Sequence, residues 1–274
     1  MNNVYRVTLL LLLTASLSRA EIPLHQLPTA LQRAINREAH GDQIASIEQD
    51  DQEEGKNFTI TVTNKSGGDR YFIVNEEGDL LGEQIELNQA PEAVQKTIRA
   101  EIQSGVLENL ERSIDAGVIE YDVEYNRPDG KDGSLSVAPD GNLIGKQVDL
   151  ESIPETVQKT IAAHVKSGTV EKINRILEDG QTLYEVDFLR EGRSRDMAIT
   201  PQGKLERSQV FMSEVPGPAQ KTIREKLGAG RVLRIDHSFV TRGGVNPFEV
   251  LAVQGKKPFN FSVGPRGKFL GMDD

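Results

Sequence analysis

A unit of about sixty-three residues is written four times along this chain, and that period limits what it can fold into more than any other feature. Helix-opening prolines stand at Pro28, Pro91, Pro154 and Pro216, and turn glycines stand at Gly78, Gly141, Gly203 and Gly267. Both series advance in steps of 62 to 64 residues. The expected division is a leader at 1–20 followed by copies at 21–85, 86–148, 149–210 and 211–274.

Each proline is followed by apolar residues four apart: Leu31, Ile35, Ala39; Val94, Ile98, Ile102; Val157, Ile161, Val165; Ala219, Ile223, Leu227. That spacing makes one helical stripe, and Gly41, Gly105, Gly168 and Gly230 are expected at the helix ends. Next comes a first strand with an irregular entry, its branched residues three apart, as at Ile44 and Ile47 or Val232 and Ile235. A second strand alternates aromatic, polar, branched: Phe58-Thr59-Ile60, Tyr121-Asp122-Val123, Tyr184-Glu185-Val186, Phe248-Glu249-Val250. A third strand ends at a turn such as Pro139-Asp140-Gly141-Asn142, and a fourth opens at Leu80, Leu143, Leu205 or Phe269. The fold class is therefore α+β, four tandem repeats of one helix on a four-stranded antiparallel sheet. Units this small bury little surface, so neighbouring copies are expected to share a sheet edge or a helix face.

Residues 1–20 carry Arg6, the apolar run Leu9 to Leu13, then Ser18-Arg19-Ala20, the pattern of a secretory signal peptide. The apolar run is far below the roughly 20 residues of a membrane span. There is no cysteine, which excludes disulfides and thiol chemistry and suits a bacterial envelope, so the chain is read as periplasmic or secreted. Without the leader the net charge is −12, which argues against a nucleic-acid partner. Charge falls unevenly: −7, −6, −2 and +4 over copies one to four, with Glu21 counted apart.

The strings LPTALQRAI, APEAVQKTI, IPETVQKTI and VPGPAQKTI, each followed by a glycine, a strand, YDVEY or YEVDF, and then SVAPDGNLIG or ITPQGKLE, resemble the PepSY-like repeat. That group is similar in fold to the β-lactamase inhibitory proteins. The resemblance covers essentially the whole mature chain. It implies a helix on a four-stranded antiparallel sheet, export to the periplasm or cell surface, and a binding or inhibitory role, with peptidases among the targets and no catalytic residues to carry over. Two departures stand out. The inhibitory proteins of the β-lactamase type rely on cysteines, so their target is not transferred. Copy four diverges most, with Pro216-Gly217-Pro218 at its helix start and Gly243-Gly244 in its first hairpin.

Candidate chemistry is sparse. His25, His40, His164 and His237 occupy four different repeat offsets, so no histidine metal site is built once per copy. The run Asp50-Asp51-Gln52-Glu53-Glu54 and the loop Asp129-Gly130-Lys131-Asp132-Gly133 are the calcium candidates, and neither fits an EF-hand. The glycosylation triplets at Asn57, Asn64 and Asn260 matter only in a eukaryotic secretory host. No nucleophile elbow, phosphate loop or dinucleotide fingerprint occurs.

The expectation is an exported, non-enzymatic protein without cofactor, binding another envelope or secreted protein, such as a protease or other hydrolase. The wet face of the second strands is the expected contact, through Asp122, Glu124, Tyr125, Glu185 and Asp187, with the recurring Gln-Lys helix row (Gln32-Arg33 in copy one, Gln95-Lys96, Gln158-Lys159, Gln220-Lys221) second. The rival reading is a calcium- or small-ligand-responsive sensor in the acidic first half, and a hydrolase comes third.

Overall fold

The computed structural model describes residues 22–273 apart from 53, 54, 116, 179, 242, 243 and 256. The leader, Glu53, Glu54 and Gly243 lie outside the described residues. Each helix is followed by four strands. Copy one has α1 (Thr29–Glu38), β1 (Gln43–Gln52), β2 (Gly55–Thr63), β3 (Asp69–Asn75) and β4 (Leu80–Gln84). Copy two has α2 (Glu92–Ile102), β5 (Val106–Asp115), β6 (Val118–Asn126), β7 (Asp132–Val137) and β8 (Leu143–Gln147). Copy three has α3 (Glu155–Val165), β9 (Thr169–Glu178), β10 (Gln181–Arg190), β11 (Arg193–Ile199) and β12 (Leu205–Gln209). Copy four has α4 (Gly217–Leu227), β13 (Arg231–Ser238), β14 (Phe248–Gln254), β15 (Lys257–Val263) and β16 (Phe269–Asp273).

The α+β class stands, but four separate four-stranded sheets do not form. The strands order as β1 through β16 in one antiparallel sheet. The physical reason is the edge: a fourth strand left open would expose unpaired backbone groups, and the first strand of the next copy covers it. Gln84 pairs with Glu111, Gln147 with Asn174 and Gln209 with Asp236. One residue past each of those strands an N–H extends the junction, from Ile85 to the Leu110 carbonyl, Val148 to Ile173 and Val210 to Ile235, each at 2.9 Å.

The chain divides into two compact units. Among the described residues the first comprises 22–90 with Asn109–Asp122, and the second Pro91–Glu108 with Val123–Asp273. In the first, Leu31 and Ile35 of α1 and Ala39, which caps it, pack on Phe58, Ile60, Val62, Phe72 and Val74. In the second, Val157, Ile161 and Val165 of α3 pack on Tyr184, Val186, Phe188, Met197 and Ile199, while Ala219 and Ile223 of α4 pack on Phe248, Val250, Phe261 and Val263. Burying a side chain of this size contributes about 1.5–3 kcal/mol, so the helical stripe decides which sheet face is dry.

The irregular first-strand entry is a β-bulge. Pairing slips by one residue between Ile44 and Ser46 in β1 and between Val232 and Arg234 in β13. An extra residue turns the strand over, which lets Ile44 and Ile47, three apart, join the same core.

The helix-end glycines need a correction. The left-handed caps of α2 and α3 are Gln103 (φ 52°) and Lys166 (φ 55°), and that of α4 is Gly228 (φ 56°). Gly105 and Gly230 lie two residues further on. A Cβ there would stand 2.7 Å from the Asn126 carbonyl or 2.8 Å from that of Val253. Glycine is required because the second strand passes against the chain, rather than to end the helix.

Candidate binding face

The strand period of two puts every second residue of β9 to β15 on the face away from the helices. On β10 the core takes Tyr184, Val186 and Phe188, leaving Glu185 and Asp187 on the other side. Opposite them stand Ala198 and Asp196 of β11, and Arg207 of β12 stands opposite Ala198. Ala198 is small, so the Arg207 side chain reaches past it to Glu185 (2.9 Å) and also meets Glu178 (2.8 Å). Where copy three meets copy four, Arg234 of β13 donates to Asp196 (2.6 Å) and to both carboxylate oxygens of Asp236 (2.6 and 2.8 Å). Asp236 is only 2 % exposed. Burial opposes charge on both arginines, yet their carboxylate partners outweigh it and hold both guanidinium groups protonated beyond their ordinary range.

Asp187 behaves oppositely. Burial, then the nearby Glu185 and Asp196 carboxylates, push its pKa up to about 6. Lys172, directly across on β9, works against this without cancelling it. The face is thus an ion-paired lattice with one poorly matched acid.

The first unit carries a version without a cation among these three residues at its own junction. The Tyr71 hydroxyl donates to Glu111 (2.6 Å) and accepts from the Asn109 amide (2.9 Å). By repeat offset, Tyr71, Glu111 and Asn109 correspond to Asp196, Asp236 and Arg234. The same three positions therefore knit one copy to the next with different chemistry.

The five nominated residues do not form one patch. Glu185 and Asp187 share the second unit's helix-free face. Asp122 belongs to the first unit and accepts from the Ser113 hydroxyl at 2.7 Å. Glu124 is exposed. Tyr125 has to be withdrawn from the wet face, being 4 % exposed. Its ring fills the space over Gly105 and Gly133, where a Cβ would come within 3.1 and 2.5 Å of it. Two residues after Val123, it falls on the core side of β6.

The glutamines of the Gln-Lys row in copies one, three and four serve the fold. Gln32, Gln158 and Gln220 each donate the side-chain amide to the carbonyl just before the helix-opening proline, on Leu27, Ile153 and Val215, at 2.8 to 3.0 Å. Two residues on, Thr97, Thr160 and Thr222 donate to the carbonyls of the turn glycines Gly141, Gly203 and Gly267 at 2.6 to 2.8 Å.

Sequence reading passed over Arg207, Arg234 and Asp196. The signal for Arg207 was present: four residues past the turn glycine, the other copies carry Gly82, Gly145 and Gly271. Among the described residues, no group of three His, Asp or Glu side chains is arranged to hold a metal ion. In the second calcium candidate, Asp129 accepts from the Lys131 backbone N–H (3.2 Å) and lies 3.5 Å from Arg127, which pairs with Asp149 at 2.8 Å. His164 lies against the Thr160 carbonyl, and His237, opposite Ser208 in the register, stacks on Phe248. No helix among the described residues is long and apolar enough to cross a membrane.

A family model described as "Putative beta-lactamase-inhibitor-like, PepSY-like" matches residues 16–82, 76–145 and 144–207. The chain belongs to the PepSY-like family. No curated protein matches this PepSY-like chain. Among solved structures, a "putative periplasmic" protein of Bacteroides eggerthii is similar at 20 % identity, covering 44 % of this chain and 88 % of its own, with a TM-score of 0.34. A "BLIP-like" protein of Bacteroides fragilis shows 15 % identity, covering 42 % and 82 %, with a TM-score of 0.31. A "putative calcium-regulated periplasmic protein" of Bacteroides thetaiotaomicron shows 19 % identity, covering 45 % and 93 %, with a TM-score of 0.30. The fourth PepSY-like copy lies beyond the matched stretches, in keeping with its divergent helix start.

Proposed function

We propose that this PepSY-like chain is an exported, non-enzymatic binding protein of four copies, divided at 21–85, 86–148, 149–210 and 211–274, that docks a protease or other hydrolase of the envelope or of the secreted fraction. The leader pattern at 1–20 and the absence of cysteine support a periplasmic or secreted location. The observation that carries the reading is the helix-free face of β9 to β14, where fixed ion pairs surround a carboxylate, Asp187, that lacks a full partner. A rigid, pre-paired polar face loses little side-chain freedom on binding, and a cationic group on the partner would complete Asp187. Glu185 and Asp187 are the contact residues in this reading, with Glu124 and Asp122 nominated in their own units.

Affinity capture with the mature chain from envelope extract of its host, run beside Asp187→Lys, tests this. Enrichment of one hydrolase by the unsubstituted chain and its loss with the variant is the expected result. Equal recovery on both baits removes the face from the mechanism. Reproducible turnover of a peptide or ester panel by the purified chain overturns the non-enzymatic reading altogether.

A further inference from the structure

In copy two the cations flanking the turn between β6 and β7 have an acid to meet. Arg127 and Lys131 reach Asp149, five residues before the helix-opening Pro154, at 2.8 and 3.7 Å. The same place before Pro216 holds Phe211. There copy three brings Arg193 and Arg195 of β11 over one aromatic ring, 4.8 and 4.7 Å from its centre. Arg190, at the end of β10, stands directly opposite Arg193, and like charges so placed oppose the pairing. Copies one and four carry a single cation at these three offsets, Arg70 and Lys257. Copy three has thus gained cations where the acid gave way to a ring.

Among the described residues one carboxylate answers this group. Glu214 takes Arg195 Nη1 on both oxygens (2.9 and 2.8 Å), the Phe211 N–H (2.8 Å) and Arg190 at 3.5 Å, which fills its acceptor positions. Arg195 is 5 % exposed, and its Nε, like that of Arg190, is shut off from solvent without a hydrogen-bond partner. Arg193 is exposed and has no ion pair among the described residues. Glu171 meets Ser194 (3.3 Å), which alternates onto the opposite side of β11. Lys166 belongs to the same end of the copy: Arg190 donates to the His164 carbonyl at 2.9 Å, and Gly168 lies against the Leu189 carbonyl. The Lys166 backbone, at φ 55° and ψ −115°, suits glycine, and copy four has Gly228 there at φ 56° and ψ −118°.

We propose that Lys166, Arg190 and Arg193, gathered around the Phe211 ring, dock the carboxylate side chains of an acidic polypeptide segment. Four cations, Lys166, Arg190, Arg193 and Arg195, stand here against two acids, Glu191 and Glu214, which leaves positive charge in excess. The chemistry of the occupant is the one the chain itself uses at this place: Asp149 meets the corresponding cations of copy two, and Glu214 meets the shielded ones of copy three. A carboxylate accepts two parallel N–H bonds from one guanidinium, and the ring holds Arg193 in place for it. Arg195 stands opposite Phe188, on the core side of the sheet, so this site and the Asp187 face lie on opposite sides of β10 and β11. Either proposal can fail without the other.

The probe is a labelled hexaglutamate peptide, titrated into the mature chain by fluorescence anisotropy at low ionic strength, with hexaglutamine as the uncharged control. Saturable binding that falls with added salt and is absent for hexaglutamine is expected. Arg193→Ala should weaken it about fivefold, and so should Phe211→Asp, which restores the acid of copy two. Lys166→Gly separates docking from folding, because it removes a cation and relaxes the backbone together. Its melting temperature should rise by about 2 °C while its affinity falls. Gln103→Gly, at the equivalent cap of copy two, should also melt higher but keep full affinity. No binding of the peptide, full affinity in Arg193→Ala, or equal loss in Gln103→Gly and Lys166→Gly would overturn the proposal. Inorganic phosphate bound as tightly as the peptide would make the site a general anion trap, and phosphatidylglycerol vesicles bound in preference to it would assign the site to a lipid surface. Either result overturns the polypeptide partner.

Discussion

Arg234 and Asp196 meet at 2.6 Å from strands that belong to different copies, and the same guanidinium holds Asp236. The pair joins copy three to copy four, where β12 and β13 share only three register pairs. Removing the cation alone strands two shielded carboxylates, whereas removing both partners of one pair leaves fewer groups unsatisfied. Arg234→Leu is expected to cost about 2–4 kcal/mol in urea unfolding, and the double substitution with Asp196→Leu less than the sum of the two singles. Strict additivity in that cycle would show the contact to be energetically silent.

A second prediction concerns the turn glycines. Gly203 has φ 82°, and a Cβ there would stand 2.6 Å from the Thr156 carbonyl, while Gly180 has φ 75° with open space around it. Substitution by alanine costs about 1 kcal/mol for the backbone conformation alone. Gly180→Ala should show that amount, and Gly203→Ala clearly more, because helix and turn must move apart. Equal melting temperatures for the two variants would contradict the close approach.

Asp187 gives a pH test. Its folded pKa of about 6 is raised above the unfolded value, so the folded state holds its proton more tightly. The stabilising contribution is complete below about pH 4 and is lost as pH rises through 6. Glu185, Asp196 and Glu171 oppose ionisation, and Lys172 favours it. Asp187→Asn should therefore match the unsubstituted chain near pH 4 and exceed it by about 1–2 kcal/mol at pH 8. A stability difference independent of pH would place the proton elsewhere.

Calcium supplies a fourth. A ligand that binds only the folded state must raise its stability. With Asp129 and Asp149 already engaged by Arg127 and Lys131, the melting temperature should not move in millimolar calcium. A rise of several degrees would return the sensor reading to first place.

Period and alternation were enough to read helix, strand order and core from the sequence, because Val157, Ile161 and Val165 have one face to bury and Val186 and Met197 receive it. Continuation of the sheet across copies was foreseen only as shared edges, since hydrogen bonds between strands leave no mark on side-chain spacing. Tyr125 was misplaced because a tyrosine suits either face, and its core position depends on the glycines at 105 and 133 beneath it. The lattice around Arg234 was illegible for a different reason. Its partners lie on another strand, and no local pattern brings them together.

The bonds from Gln158 to Ile153 and from Thr160 to Gly203 have an implication for recognition. The letters that make these copies look alike are the ones that fasten each helix within its own copy. Likeness in those letters reports a shared chassis and is silent about cargo. Two chains could match throughout that signature and still serve unrelated targets, since the residues free to choose a target are those that the signature omits.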